Sequence, residues 1–467
     1  MKLLALIAAA LPFLCSSTFA HAAQQQSTAA ATTIATTALV SVNLLPMDTD
    51  RIVRNQTVLV ENGKIVAIGS AVPIPKNARI VNGHGSTFLS PGLADMHVHS
   101  DTTGDMQVYL ANGVTTVLNM GGASSGFMDQ VRPDMNRGKI AGPHFFAGFV
   151  VDGSPQYGQF VVATPEQARA MVGLAKTNGY DFIKVYNNLS PASFQAFIEE
   201  GRKQHMAVIG HGVTRVGLER QLDAGQILVA HAEEFLYTTF SHPDKENAGG
   251  SGQMNSAPDP DEIPPAIAFI KRNKAFVTAD LITYATIASQ WGKPEVVERY
   301  MHMPEIRYLS PDRRIRWGSD GYTKRQGDLS ARVEFLKRFI KEMAQADVPL
   351  VTGTDAPTIP GLVPGFSLHD DLRALEAAGL SRYQVLSAAT RTPGEMIHRS
   401  VPGAEPFGTI KVGNRADFIL SAKNPLDDLS TLRTPLGVMA NGNWYAEPEL
   451  HALLDQVADK YDNAFKH

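Results

Sequence analysis

Through its middle the chain alternates short, mainly apolar runs with longer amphipathic ones. The runs at 115–118, 144–149, 182–186, 207–209, 227–230, 275–278 and 350–353 have the length and the β-branched or aromatic content of buried strands. Helix starts between them are marked in the sequence. Thr164-Pro165-Glu166-Gln167 offers an N-cap, a proline at the first helical position and a capping-box glutamine. Ser190-Pro191, and Ser381 with Gln384, repeat that signal. Repeated strand-then-helix units predict a parallel α/β architecture, and eight of them would close a (β/α)8 barrel with its active site at the strand C-termini. A doubly wound open sheet is the alternative, but no Gly-x-Gly-x-x-Gly turn supports it.

Both ends of the chain have a different texture. Residues 39–44, 57–61 and 64–69 are β-branched runs, and Asn62-Gly63 between two of them is a hairpin-turn signal. Residues 417–421, 437–440 and 444–445 read likewise, with Asn441-Gly442 as the turn. The pattern predicts one small β-sandwich assembled from both ends, residues 23–90 and 403–467, around a barrel at 91–402; the C-terminal part also carries a helix.

The first 22 residues are neither texture. Lys2 precedes an apolar run at 3–14, and Ala20-His21-Ala22 is a small-x-small cleavage pattern. This is the layout of a secretory signal peptide, and the run is too short to span a bilayer. The expected mature protein is exported, periplasmic or secreted, with no membrane anchor after cleavage. Cys15 is the only cysteine and lies in that segment, so disulfide and thiol chemistry are excluded from the mature chain. A net charge of −4 gives no electrostatic reason to expect a nucleic-acid partner. With 44% apolar and 19% charged residues, a disordered or fibrous chain is also excluded.

The chemistry gathers at the ends of the predicted strands. Leu93-Ala94-Asp95-Met96 runs into His97-Val98-His99; other strands run into Lys184, His211, His231 and Asp355. An isolated strand-end histidine is ordinarily a satisfied polar residue, and Asp355 in Gly353-Thr354-Asp355-Ala356-Pro357 would serve as a turn cap. His-x-His is more informative, because residues i and i+2 of a strand point the same way and can chelate one ion. Lys184 sits inside Phe182-Ile183-Lys184-Val185-Tyr186, where a bare ammonium is costly to bury; it calls for an anionic partner, a lowered pKa or chemical modification. Six such residues on one rim point jointly to a metal site.

In this combination the chain resembles the amidohydrolase superfamily, in its imidazolonepropionase-like and prolidase-like (Xaa-Pro dipeptidase-type) branch. Ser90-Pro91-Gly92-Leu93-Ala94-Asp95-Met96-His97-Val98-His99 is similar to the family's first-strand motif, and Gly113-Val114-Thr115-Thr116-Val117 to its second strand. Residues 181–186 resemble the lysine strand, Gly353-Thr354-Asp355 the eighth-strand aspartate, and Gly413-Asn414-Arg415-Ala416-Asp417 the return into the β-sandwich. The resemblance implies two divalent metal ions. His97, His99 and Asp355 would bind the more buried one, His211 and His231 the second, and an N6-carboxylated Lys184 would bridge them. Zinc is the expected metal, with manganese, cobalt and iron also compatible with imidazole and oxygen donors. It further implies a metal-bridging hydroxide that attacks an amide carbonyl, with Asp355 taking the proton and delivering it to the leaving amine.

The expected substrate is a small molecule: a dipeptide such as Xaa-Pro, or an N-acyl or aryl amide of an amino acid. Hydrolysis of a cyclic amide or lactone, or deamination, is the alternative within the superfamily; a non-enzymatic scaffold would have lost ligands. Candidate substrate contacts are His144, Tyr157, Tyr186, Tyr237 and Arg391, near predicted strand ends or following loops. Glu233 and Glu234 read as a solvated loop after His231, with the pocket as the alternative. Two long excursions, 238–265 and 291–326, follow the sixth and seventh strands, and at least one is expected to cover the metals. A homo-oligomer is compatible with the family.

Overall fold

The computed structural model describes residues 36–156, 160–241, 256–319 and 322–464. The expected signal segment at 1–22, the candidate Tyr157 and residues 242–255 of the first expected excursion lie outside them. Among the described residues no helix is long and apolar enough to cross a membrane.

Strands β1 (Thr36–Leu44), β2 (Val53–Glu61), β3 (Lys64–Gly69), β4 (Arg79–Asn82) and β5 (Phe88–Pro91) open the chain. The Asn62-Gly63 turn joins β2 to β3, with both residues at positive φ, as such a hairpin requires. The barrel strands follow: β6 (Leu93–Val98), β7 (Val114–Asn119), β8 (His144–Asp152), a short β9 (Phe160–Val161), β10 (Phe182–Val185), β11 (Ala207–Gly210), β12 (Leu228–Val229), β13 (Phe276–Thr278) and β14 (Leu350–Val351). The chain then returns as β15 (Phe418–Ser421), β16 (Gly437–Ala440) and β17 (Asn443–Ala446) and ends in the helix Glu447–Ala464.

The barrel strands pair in parallel in the order β6-β7-β8-β10-β11-β12-β13-β14, with β9 added beside β8. The ring closes between its first and last strands: Met96 donates its N–H to Thr352 O at 2.9 Å, His99 donates to Ala356 O at 2.8 Å, and Val98 bridges Ala356. This is the (β/α)8 barrel that the strand–helix repetition predicts. The capping boxes form at Thr164/Gln167 and Ser381/Gln384, opening the helices Pro165–Thr177 and Arg382–Ala389, and Ser190 caps Pro191–Gln204. The second sheet runs β17-β16-β15-β5-β1-β2-β3 with β4 beside β1, so strands from both chain ends share one small β unit. β15 lies antiparallel to β5, placing Ile419 opposite Ser90, three residues before the barrel begins at Leu93.

The barrel interior explains where the chemistry sits. Its lower layer is apolar: Ala94, Met96, Phe146, Phe182, Ile209, Leu228 and Phe276 pack with Met396, Ile397 and Phe407, which close the bottom. Side chains two apart on a strand share a face. The layer above Phe182 is therefore Lys184, and the layer above Ile209 is His211. In β6 a register irregularity between Asp95 and Val98 separates the apolar positions from His97 and His99. Truncating Phe182, wholly buried, to alanine would cost about 3–5 kcal/mol.

Candidate metal centre

The six sequence-predicted residues meet at the C-terminal rim of the barrel. His99 Nε2 lies 2.9 Å and His97 Nε2 3.4 Å from Asp355 Oδ1, and the two imidazole nitrogens are 3.3 Å apart. Donor atoms of His97, His99 and Asp355 fall within 4.8 Å of one another, a spacing that could hold one cation. The His231 ring stacks 4.1 Å from that of His97, and the His211 ring stands edge-on to His231 at 5.0 Å.

Each imidazole is held from behind. His97 Nδ1 is 3.0 Å from Ala230 O and His99 Nδ1 is 2.9 Å from Gly121 O. His211 Nδ1 is 2.7 Å from Glu234 Oε1, and His231 Nδ1 pairs with Asp280. Carbonyls and carboxylates at Nδ1 leave Nε2 as the free donor, the arrangement that fixes tautomer and orientation in metal-binding histidines. His211 Nε2 is buried with no hydrogen-bond partner, and so is Lys184 Nζ. Polar atoms orphaned in this way are rare in folded proteins and mark a missing partner.

Electrostatics follow from burial. Desolvation pulls His97 and His211 well below the ordinary imidazole value, with neighbouring cationic side chains adding to it, so both rings are neutral and able to ligate. Burial lowers Lys184 to about 8 against the opposing pull of Asp355, Glu234 and Asp280, which brings the free amine within reach near neutrality. For Asp355 burial acts upward, but the His99 hydrogen bond and the charges of His99, His231 and Lys184 outweigh it and hold the carboxylate at about 2. Asp355 also sits in the left-handed region at φ 58°, which aims its side chain inward from the turn after β14. Burial, with the charge of Asp280 adding to it, raises Asp95 to about 7; Asp95 accepts a hydrogen bond from Thr354 Oγ1 at 2.7 Å.

Two buried acids stand behind the histidines, Glu234, expected only as the pocket alternative, and Asp280, not expected from the sequence. Glu234 is buried, accepts the Gly212 N–H at 3.0 Å and orients His211, which overturns the reading of it as part of a solvated loop. Asp280, buried just beyond β13 at φ 20°, does the same for His231. Its strained backbone is a structural signal of function; its sequence context, Ala279-Asp280-Leu281, carries none.

Above the centre lies a cavity of about 490 Å³, lined by Tyr186, Glu233, Tyr237, Tyr322, Asn187 and Asn188 among others, with His211, His231 and Asp355 on its floor. Tyr186 stacks on His211 at 3.9 Å, and Lys184 Nζ lies 5.2 Å from the Tyr186 ring centre. Of the expected substrate contacts, Tyr186 and Tyr237 line this cavity. His144 and Arg391 do not. His144 is the first residue of β8 and so falls on the opposite rim, where Nδ1 meets Asn441 Oδ1 at 3.1 Å. Arg391 starts the helix Arg391–Ser400 near the entry of β14 and faces Glu395. The excursion at 291–326 reaches the cavity through Tyr322, while Trp317 anchors it by donating to Pro357 O at 2.9 Å.

No protein-family model matches the chain. Imidazolonepropionase of Cupriavidus pinatubonensis is 40% identical over 60 residues, 12% of this chain and 14% of that protein. Ochratoxinase of Aspergillus niger is 21% identical over 460 residues, covering 85% of this chain and 83% of its own length. Among solved structures, a bottromycin amidohydrolase superposes with a TM-score of 0.69 at 22% identity, covering 91% of this chain and 90% of that one. A Xaa-Pro dipeptidase with methionine in its active site gives a TM-score of 0.62 at 18% identity, covering 88% of this chain and all of that one. These structures share the fold of this chain. In this barrel the His-x-His motif, Lys184 and Asp355 all stand on the rim where it opens.

The donor set could hold a divalent metal ion. Four imidazoles, three of them with Nδ1 tied to a carbonyl or carboxylate below and the fourth to Glu234, leave nitrogen donors facing a common space, with an ionised carboxylate and an orphaned lysine nitrogen beside them.

Proposed function

We propose that this protein is a binuclear metal-dependent amidohydrolase that cleaves an amide bond in a small molecule, of the dipeptide or aminoacyl/N-acyl amide class, after export from the cytoplasm. The observation that carries the reading is the orphaned pair, Lys184 Nζ and His211 Nε2, buried beside the triad His97, His99 and Asp355. His97, His99 and Asp355 would hold one ion, His211 and His231 the other, and Lys184, N6-carboxylated, would supply an oxygen to each. Carboxylation converts a buried amine into an anion, which removes the desolvation problem that Lys184 otherwise poses. Two such ions, zinc by donor type, would supply Lewis-acid polarisation and a water that ionises near neutrality.

The chain's own residues perform the rest. Asp355, ionised throughout the neutral range, takes a proton from the attacking water and gives it to the departing nitrogen. Glu234 and Asp280 hold His211 and His231 in one tautomer. Tyr186, Tyr237 and Tyr322 wall the substrate from bulk water. The test is a chelator-stripped sample assayed on dipeptides, N-acylamino acids and aryl amides during zinc titration. Amine release that saturates at two equivalents per chain supports the proposal; turnover by metal-free protein would overturn it.

A further inference from the structure

Glu233 is the charged lining residue of the cavity that the proposed reaction leaves unused. It begins the helix Glu234–Thr238, yet makes no capping hydrogen bond. Adjacent Glu234 turns inward to His211, whereas Glu233 lines the cavity, half-buried, its side chain making no hydrogen bond or ion pair to any described residue. The other carboxyl and imidazole groups lining the cavity, His211, His231, Glu234 and Asp355, are engaged in the proposed metal centre or its support. No lysine or arginine lines the cavity among the described residues.

A partly desolvated carboxylate without a partner is unfavourable, and a ligand cation relieves that cost. An ammonium suits the place: it brings three donors on a compact charge. Tyr237, one helical turn on from Glu233, and Tyr322 offer ring faces that attract cations. A substrate carboxylate would offer Glu233 no cation to pair with, and neither would an acylated nitrogen.

We propose that Glu233 is the ammonium subsite of the cavity, so that the substrates hydrolysed carry a free protonated amine. This rests on the amide-hydrolase reading and narrows it to aminoacyl amides and dipeptides, against N-acylamino acids.

Matched pairs test it: Ala-Pro, Phe-Ala and an alanyl anilide, each with a free or an acetylated amine, assayed with zinc-loaded enzyme. The expected wild-type preference for the free amine is about tenfold or more in kcat/KM, the cost of leaving a buried polar group unpaired. Glu233→Gln should shrink that preference to about threefold or less, with the change carried by KM. Equal or better turnover of the acetylated members by the wild-type protein overturns the subsite, and that comparison needs no variant. A preference that survives Glu233→Gln intact overturns the role of Glu233. Failure to hydrolyse any pair removes the amide-hydrolase reading itself, and the subsite with it.

Discussion

Glu234 Oε1 stands 2.7 Å from His211 Nδ1, and this single contact decides which nitrogen of His211 faces the metal centre. Glu234 also accepts the Gly212 N–H, so it braces the turn after β11 from the far side of the next strand. Replacing it with glutamine keeps an acceptor and removes the charge. Glu234→Gln should lower zinc affinity and kcat/KM by about 10–100-fold while the fold persists. Zinc titration followed by calorimetry checks it; unchanged affinity would reduce Glu234 to a turn brace.

Lys184→Ala removes the bridging group and opens space where its chain had been. Turnover should fall by about three orders of magnitude or more, and millimolar formate or acetate should restore part of it by placing a carboxylate in the vacated volume. Rescue by chloride at equal ionic strength would contradict this, since chloride is not a carboxylate.

Gly353 is fixed by what surrounds it. A Cβ there would lie 2.5 Å from Thr278 Cγ2 and 2.9 Å from His97 Cβ, so an added methyl must push β13 or the metal-binding strand. Gly353→Ala should cost about 1–3 kcal/mol and lower kcat together with Tm, through displacement of His97. A normal melting temperature with normal kcat would show that the strand ends move more freely than the packing implies.

His369 sets an acid limit on stability. Its Nε2 meets Asn112 O at 2.9 Å, and burial, only partly offset by that bond, pushes it down to about 4. The unfolded chain, near the ordinary histidine value of about 6.5, therefore binds more protons between these two values. The stability this residue contributes is full above about pH 6.5 and drains away as the pH falls toward 4. At pH 4.5 the loss should be about 2 to 3 kcal/mol. His369→Gln, which retains a donor for Asn112 O, should show a smaller fall in urea stability between pH 7 and 4.5 than the wild-type protein. Parallel falls would contradict the assignment.

The barrel and its ligand rim were legible because their signal is periodic. Strand C-termini share one rim, so His97, His99, Lys184, His211, His231 and Asp355 could be gathered without knowing any distance. His144 falls outside that rim because a strand's first residue belongs to the opposite one, and Arg391 opens a helix beside the entry of β14. Glu234 and Asp280 were not legible because an acid after a strand looks the same in sequence whether it meets water or an imidazole. Only the fold, which sets Glu234 after β12 against the end of β11, tells them apart.

The central claim is that two cations share a carboxylated lysine. Crystals of active zinc-loaded enzyme, measured at and below the zinc absorption edge, test it directly. The account predicts two anomalous peaks, one beside His97, His99 and Asp355 and one beside His211 and His231, about 3.5–4 Å apart, with carbamate density continuous from Lys184 Nζ. One peak alone, or a bare amine at Lys184 in fully active crystals, would contradict it.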